Sequence, residues 1–258
     1  MILASLARAT VRRRRPYIIA VTGSAGKTST NHAIGPVLQP HFRVRKSEKS
    51  FNSDIGIPLA VLGCPNGWNN PFIWIRNIAD GLALALLRNT YPAWLVLEVG
   101  ADRPGDIKRI AKWLSPDIVV VTRLPDIPVH VEFFNSPEAL FKEKSHLVRL
   151  ARETALTVLN ADDARVLEMR PHARGKVVTY GLAEGADVIG SHVKILYGAA
   201  GAGDSRTFPE GVTFHVDHAG HSVPISIFGV VGIQPVYAAL AALATGVSSG
   251  INLVAAGD

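Results

Sequence analysis

A single cysteine, Cys64, is all the chain contains, which excludes an intramolecular disulfide and a cysteine-based zinc cluster and fits a reducing cytoplasm. Charge is also scarce, at 19% against 48% apolar residues. Gly and Pro are dispersed rather than gathered in low-complexity tracts, so disorder is not expected and a sizeable core is. Acidic residues are outnumbered 21 to 27 by Lys and Arg, but Arg12, Arg13, Arg14 and Arg15 supply much of that excess in one run. The remainder is mild, so no nucleic-acid partner is expected; the run of Arg12 to Arg15 itself reads as a solvated segment or one in weak contact with a membrane surface. No long uncharged apolar run is present. The N-terminal MILASLARATVRRRRP places its apolar stretch before its charges, the reverse of a secretory signal. Phe72 to Leu87 is interrupted at helical spacing by Arg76 and Asp80, which predicts a buried or amphipathic helix rather than a membrane span. A cytoplasmic globular protein is the expectation.

Tyr17 to Val21 is a β-branched run ending in a glycine turn, with a helix-compatible stretch from Lys27 onward. Trp94 to Val99 and Ile118 to Thr122 are continuous apolar runs without alternation, as in strands covered on both faces. Helical stretches lie between them, so the fold class is α/β, a mostly parallel doubly wound sheet. Beyond Asn160 the pieces Lys176 to Tyr180, Asp187 to Leu196, Val212 to Val216 and Ser222 to Phe228 predict a smaller, antiparallel β section, followed by an alanine-rich helix from Pro235 to Thr245. The expected organisation is a basic segment over 1–16, an α/β core over 17–160, a β-rich section over 161–232 and a helical end over 233–258. No internal repeat is visible.

VTGSAGKTST carries the firmest chemistry. A strand delivers the chain into Gly23-Ser24-Ala25-Gly26, whose glycines let backbone N–H groups approach phosphate oxygens, and the following helix adds its N-terminal dipole. Lys27 is placed to reach the β- and γ-phosphates of ATP, Thr28 to set a hydroxyl on Mg²⁺, and Ser29 to complete the loop. Val21 stands where the standard form of this loop begins with glycine. In LEVGADRPGDI, Glu98 falls at the carboxyl end of a buried strand, where open α/β sheets gather ligand-binding groups, and is a candidate metal ligand. On the helix expected over Ser136 to Arg152, about 100° per residue puts Leu140, Lys144, Leu147, Val148 and Ala151 on one stripe. Lys144 is thus a lone cation on an apolar face, and it snorkels outward, pairs with an anion, or is chemically altered. His130 and Glu132 follow the strand ending near Thr122, which makes His130 a metal-ligand candidate; His215, His218 and His221 read as polar hairpin residues.

Together GSAGKTST, FNSDIGIPLAVL, LEVGADRPGDI, VVVTR, the Lys144 helix and TVLNADD resemble the central domain of the Mur ligases, most closely the type that adds D-alanyl-D-alanine in peptidoglycan precursor synthesis. The resemblance runs from about Ile18 to Asn252. It implies an ATP-dependent ligase in which a substrate carboxylate takes the γ-phosphate to form an acyl phosphate, which an amine then converts to an amide. Implied roles are Lys27 and Thr28 on phosphates and a first Mg²⁺, Glu98 on the same metal, His130 on a second, and Lys144 as an N-carboxylated lysine. Implied partners are a UDP-N-acetylmuramoyl-peptide-like substrate and an amino acid or dipeptide.

The chain departs from the family pattern in several places. Asn52-Ser53 replaces paired asparagines, and Thr122-Arg123 replaces Thr-Asn. Gln234-Pro235-Val236-Tyr237-Ala238 stands where the family has His-Asn-x-x-Asn, whose asparagines help hold adenine. The family's N-terminal sugar-nucleotide domain and C-terminal closing domain are not recognised in the sequence, so a fragment is expected. The alternatives are a folylpolyglutamate- or cyanophycin-type ligase core and a nucleotide-binding module without catalysis.

Overall fold

In the computed structural model, which describes residues 2–48, 51–87, 90–124, 134, 136–199 and 207–257, the chain alternates strands and helices as far as β6. The order is α1 (Ile2–Arg14), β1 (Tyr17–Thr22), α2 (Lys27–Leu38), β2 (Val44–Lys46), α3 (Gly56–Leu62), α4 (Pro71–Leu86), β3 (Trp94–Glu98), α5 (Asp106–Leu114), β4 (Ile118–Val121), α6 (Pro137–Arg149), β5 (Leu156–Asn160), α7 (Ala164–Leu167) and β6 (Val177–Gly181). Then follow β7 (Val188–Ala199), β8 (Thr207–His218), β9 (His221–Phe228), α8 (Ile233–Ser248) and α9 (Leu253–Gly257).

One sheet runs β2-β3-β1-β4-β5-β6-β7-β8-β9. Its members are parallel as far as the β6–β7 pair and antiparallel from β7 to β9. The parallel part therefore continues past the shift in character at Asn160. Val177–Gly181, expected in the antiparallel section, pairs parallel with β5 because the connection through α7 crosses over instead of turning back.

The uninterrupted apolar runs are explained by two cores. Ile18, Ala20, Leu95, Leu97, Val119 and Val121 face a cluster shared with α1, α3, α5 and α6. The intervening Ile19, Val21, Val96, Ile118 and Val120 face a second cluster with α2, α8 and α9. Each strand residue is thus covered, whichever face it takes.

The N-terminal basic run is not simply a wet segment. It forms the last turn of α1, whose Ala7, Thr10 and Val11 are buried. Arg13 Nη1 donates to the Ala85 carbonyl at 2.9 Å, and Arg14 Nη2 donates to the Leu84 and Leu87 carbonyls at 3.2 and 2.5 Å. These guanidinium groups satisfy carbonyls that the end of α4 leaves without intrahelical partners. Among the described residues no helix is long and apolar enough to cross a membrane.

Candidate functional site

β1 lies between β3 and β4, with Val21 opposite Glu98 on one side and Val120 on the other. The chain moves from one side of β1 to the other between β3 and β4, which opens a crevice at the strands' carboxyl ends. The loop Gly23 to Gly26 sits there. Gly23 has φ +142°, and a Cβ on it would lie 1.9 Å from Thr122 Oγ1, so no side chain fits. Gly26 is left-handed at φ +83° and starts α2 without a side-chain cap, leaving the first-turn N–H groups open to an anion. The loop's shape is held from outside: Ser24 N donates to the Arg123 carbonyl at 2.7 Å, and Thr122 Oγ1 donates to the Ala25 carbonyl at 2.6 Å. Ser24 Oγ is buried without a hydrogen-bond partner, an orphaned polar atom inside the cradle.

Thr28 Oγ1 donates to Glu98 Oε2 at 2.8 Å. Asn52 Nδ2 donates to Glu98 Oε1 at 3.1 Å, and the Glu98 N–H donates to Ser47 Oγ at 2.9 Å. Asn31, on α2, donates to both the Ser47 carbonyl and its hydroxyl. Glu98 is only 3% exposed, so these contacts fix its carboxylate at the end of β3. Ser47 and Asn52 are site residues to which sequence reasoning gave no role; the signals for Asn52 were its position in the FNSDIGIP segment and the paired asparagines that the family has there, and Ser47 carried none.

Lys27 Nζ donates to the Ser24 carbonyl at 3.4 Å. Burial lowers its pKa, with the Glu98 charge opposing. Lys144, on α6, is 3% exposed, and no hydrogen bond or ion pair to a described residue satisfies it. Burial first, and then the Lys27 ammonium, push it down to about 7, while Glu143 and Glu98 act in the opposite direction. Snorkelling is therefore not what this side chain does. The preceding residue, Glu143, accepts from Gly105 N at 2.8 Å and from Ile107 N at 2.7 Å, a role that helical periodicity gave no hint of.

The structure thus brings together the loop Gly23, Ser24, Ala25, Gly26, Lys27, Thr28 and Ser29 with Glu98 and Lys144. His130 and Glu132 lie outside the described residues. His218 and His221 flank the turn between β8 and β9, while His215 sits within β8, away from the turn. Among the described residues no group of three or more His, Cys, Asp or Glu side chains is arranged to hold a metal ion. A cavity of about 400 Å³ adjoins the loop, lined by Thr28, Ser29, His32, Ile227, Pro235 and Ala238. On the other flank of Ala238 a gap of about 20 Å³, beside Gln234 and Asn160, is too small for a base. A cavity of about 710 Å³ lies instead at the strands' amino ends, beside Arg14, Arg15 and Arg43.

The UDP-N-acetylmuramoyl-tripeptide--D-alanyl-D-alanine ligase of Mycobacterium tuberculosis H37Rv is 29% identical over 236 residues, 92% of this chain and 39% of the relative. Its counterpart from Bacillus subtilis is 29% identical over 161 residues, 62% of this chain and 30% of the relative. The chain therefore spans well under half of these relatives. MurF from Acinetobacter baumannii superposes with a TM-score of 0.76 at 21% identity, over 99% of this chain and 47% of that one. MurF ligase from Thermotoga maritima, solved in complex with ADP, gives 0.75 at 21% identity, over 99% and 51%. An L. casei FPGS mutant is more distant, at 0.63 and 15% identity, over 98% and 65%. At these identities the superpositions speak for the fold. The sequence pattern of the Mur ligase middle domain matches residues 77–246, and the chain belongs to the Mur ligase family.

Proposed function

We propose that this chain is the ATP-binding catalytic core, over 17–258, of a ligase that joins an amino acid or dipeptide to a UDP-N-acetylmuramoyl-peptide-like precursor in the cytoplasm. The observation that carries this reading is the Thr28–Glu98 hydrogen bond at the mouth of the glycine loop, with buried Lys144 beside it. A phosphate loop alone supports only nucleotide binding; the carboxylate and the second lysine are what suit transfer to a carboxylate acceptor.

The loop N–H groups, the orphaned Ser24 hydroxyl and Lys27 hold the phosphate chain. The nucleoside lies in the 400 Å³ cavity over Ser29 and His32. That seat has Pro235 and Ala238 where the family has adenine-binding asparagines, so its grip on the base is mostly apolar. Thr28 and Glu98 are a pair of hard oxygen donors, which suits Mg²⁺ bound through a hydroxyl, a carboxylate and phosphate oxygens. Bound there, Mg²⁺ neutralises charge on the phosphoryl group. His130 is assigned to a second metal by resemblance alone. The acceptor carboxylate attacks the γ-phosphorus and ADP leaves; the amine then attacks the acyl carbon, phosphate leaves, and the amine gives up a proton. Lys144, whose amine is about half neutral near pH 7, is disposed to attack CO₂ and form an N-carboxylate with loss of a proton. That change exchanges a second cation beside Lys27 for an anion that attracts it.

Calorimetric titration of MgATP against wild type and Lys27→Ala tests the assignment. The variant is expected to bind at least about tenfold more weakly, roughly 1.4 kcal/mol. Equal affinities overturn it.

A further inference from the structure

Helix α4 packs Trp74 and Leu84 partly against the core but leaves much of its apolar surface outside it. Its buried positions are Asn77, Gly81 and Ala85, none of them large and apolar. The small residues admit α1 closely: a Cβ on Gly81 would meet Leu6 Cδ1 at 3.0 Å. The large apolar residues Phe72, Ile75, Leu82 and Leu86 fall within an arc of about 80° on the opposite side. They are exposed, Phe72 at 78% and Leu86 at 65%, and Trp68 at 80% and Leu87 extend the strip at its two ends. Single exposed apolar residues need no explanation, but a continuous strip along a whole helix does.

At one end of this strip the charge is of one sign. At the carboxyl end of α4, Arg13 and Arg14 are drawn onto the helix carbonyls. Arg12, Arg15 and Arg43 have no acidic partner among the described residues, and Arg14, Arg15 and Arg43 line the 710 Å³ cavity there. Arg76, beside the strip, is within 3.5 Å of Asp80. An apolar strip with a tryptophan at one end and unpaired arginines at the other is the pattern of a helix that lies in the plane of an anionic lipid surface. A symmetric contact with a second copy would instead set arginine-rich patches in each other's field.

We propose that the α1–α4 face docks on anionic bilayers, with α4 flat at the headgroup level and the arginine cavity holding lipid phosphate. The proposal does not rest on the ligase assignment, because the arginine cavity lies at the amino ends of the strands and the phosphate loop at their carboxyl ends.

Vesicle co-sedimentation tests it, with phosphatidylcholine alone against an equal mixture of phosphatidylcholine and phosphatidylglycerol. The protein is expected to favour the mixed vesicles by at least about tenfold, less so as salt rises. Phe72→Ser with Ile75→Ser and Leu86→Ser is expected to abolish binding, and Arg12→Ala with Arg15→Ala and Arg43→Ala to remove the preference for the anionic lipid. Circular dichroism and a cooperative thermal melt verify that both variants remain folded. Absence of binding to the mixed vesicles, or equal binding by wild type and folded variants, overturns the proposal. So does concentration-dependent dimerisation that the serine variant abolishes in a protein that ignores vesicles, which would assign the face to a second copy.

Discussion

Lys144 sets the electrostatics of the site and carries a stability cost of its own. Its amine keeps its proton to about 10.5 when the chain is unfolded and releases it near 7 when folded, through burial first and the Lys27 charge second. Between those values the unfolded state binds the extra proton, so stability rises with pH across that window, and below about 7 the penalty is complete. Lys144→Met is therefore expected to stabilise the protein at pH 6.5 by on the order of a few kcal/mol, with the gain fading towards pH 10.5. Urea titrations at the two pH values check this, and identical midpoints at pH 6.5 contradict it. The stripe on α6 made Lys144 legible from sequence, because a cation among Leu140, Leu147 and Val148 has few explanations. Its nearness to Lys27 and Glu98 was not legible, since it depends on α6 and β1 meeting across a long stretch of chain.

At the scale of elements, termini decide more than interiors do. Helix α5 begins at Gly105, which has no side chain to cap it, and Glu143 on α6 supplies the acceptor from 38 and 36 residues away. The pair ties α5 to α6 through charge-assisted hydrogen bonds at a helix amino end. Glu143→Ala is expected to lower stability by about 1–3 kcal/mol through the two orphaned N–H groups, with Glu143→Gln recovering part of the loss. A urea midpoint unchanged in the alanine variant would mean that water replaces the carboxylate. Ser136 does for α6 what Glu143 does for α5, accepting from Ala139 N, and this cap was readable because it is local. The arginines on the α4 carbonyls were not readable, because a charge run in a sequence does not reveal which distant helix end it meets.

Taken as a whole, the molecule is expected to couple its stability to ligand through the loop that joins β1 to α2. At a hundredfold excess over its dissociation constant MgATP is expected to add about 2.7 kcal/mol, or about 5 °C in melting temperature for a chain of this size. Differential scanning fluorimetry reads the shift, which Lys27→Ala is expected to lose. The parts that the amino-acid sequence determined by itself are those set within a few residues: the glycine loop, where Gly23 and Gly26 take backbone angles other residues resist, and the strands whose unbroken apolar runs demand cover on both faces. Family membership also followed from local motifs kept in order. Tertiary structure alone decided the rest. It set Ser47 and Asn52 on Glu98, brought Glu98 to Thr28 across 70 residues, aimed Glu143 at a bare helix end and turned the apolar strip of α4 outward. Backbone angles and periodicity are properties of neighbours along the chain, whereas hydrogen-bond partners and the choice of buried face are settled by which surfaces the fold brings into contact.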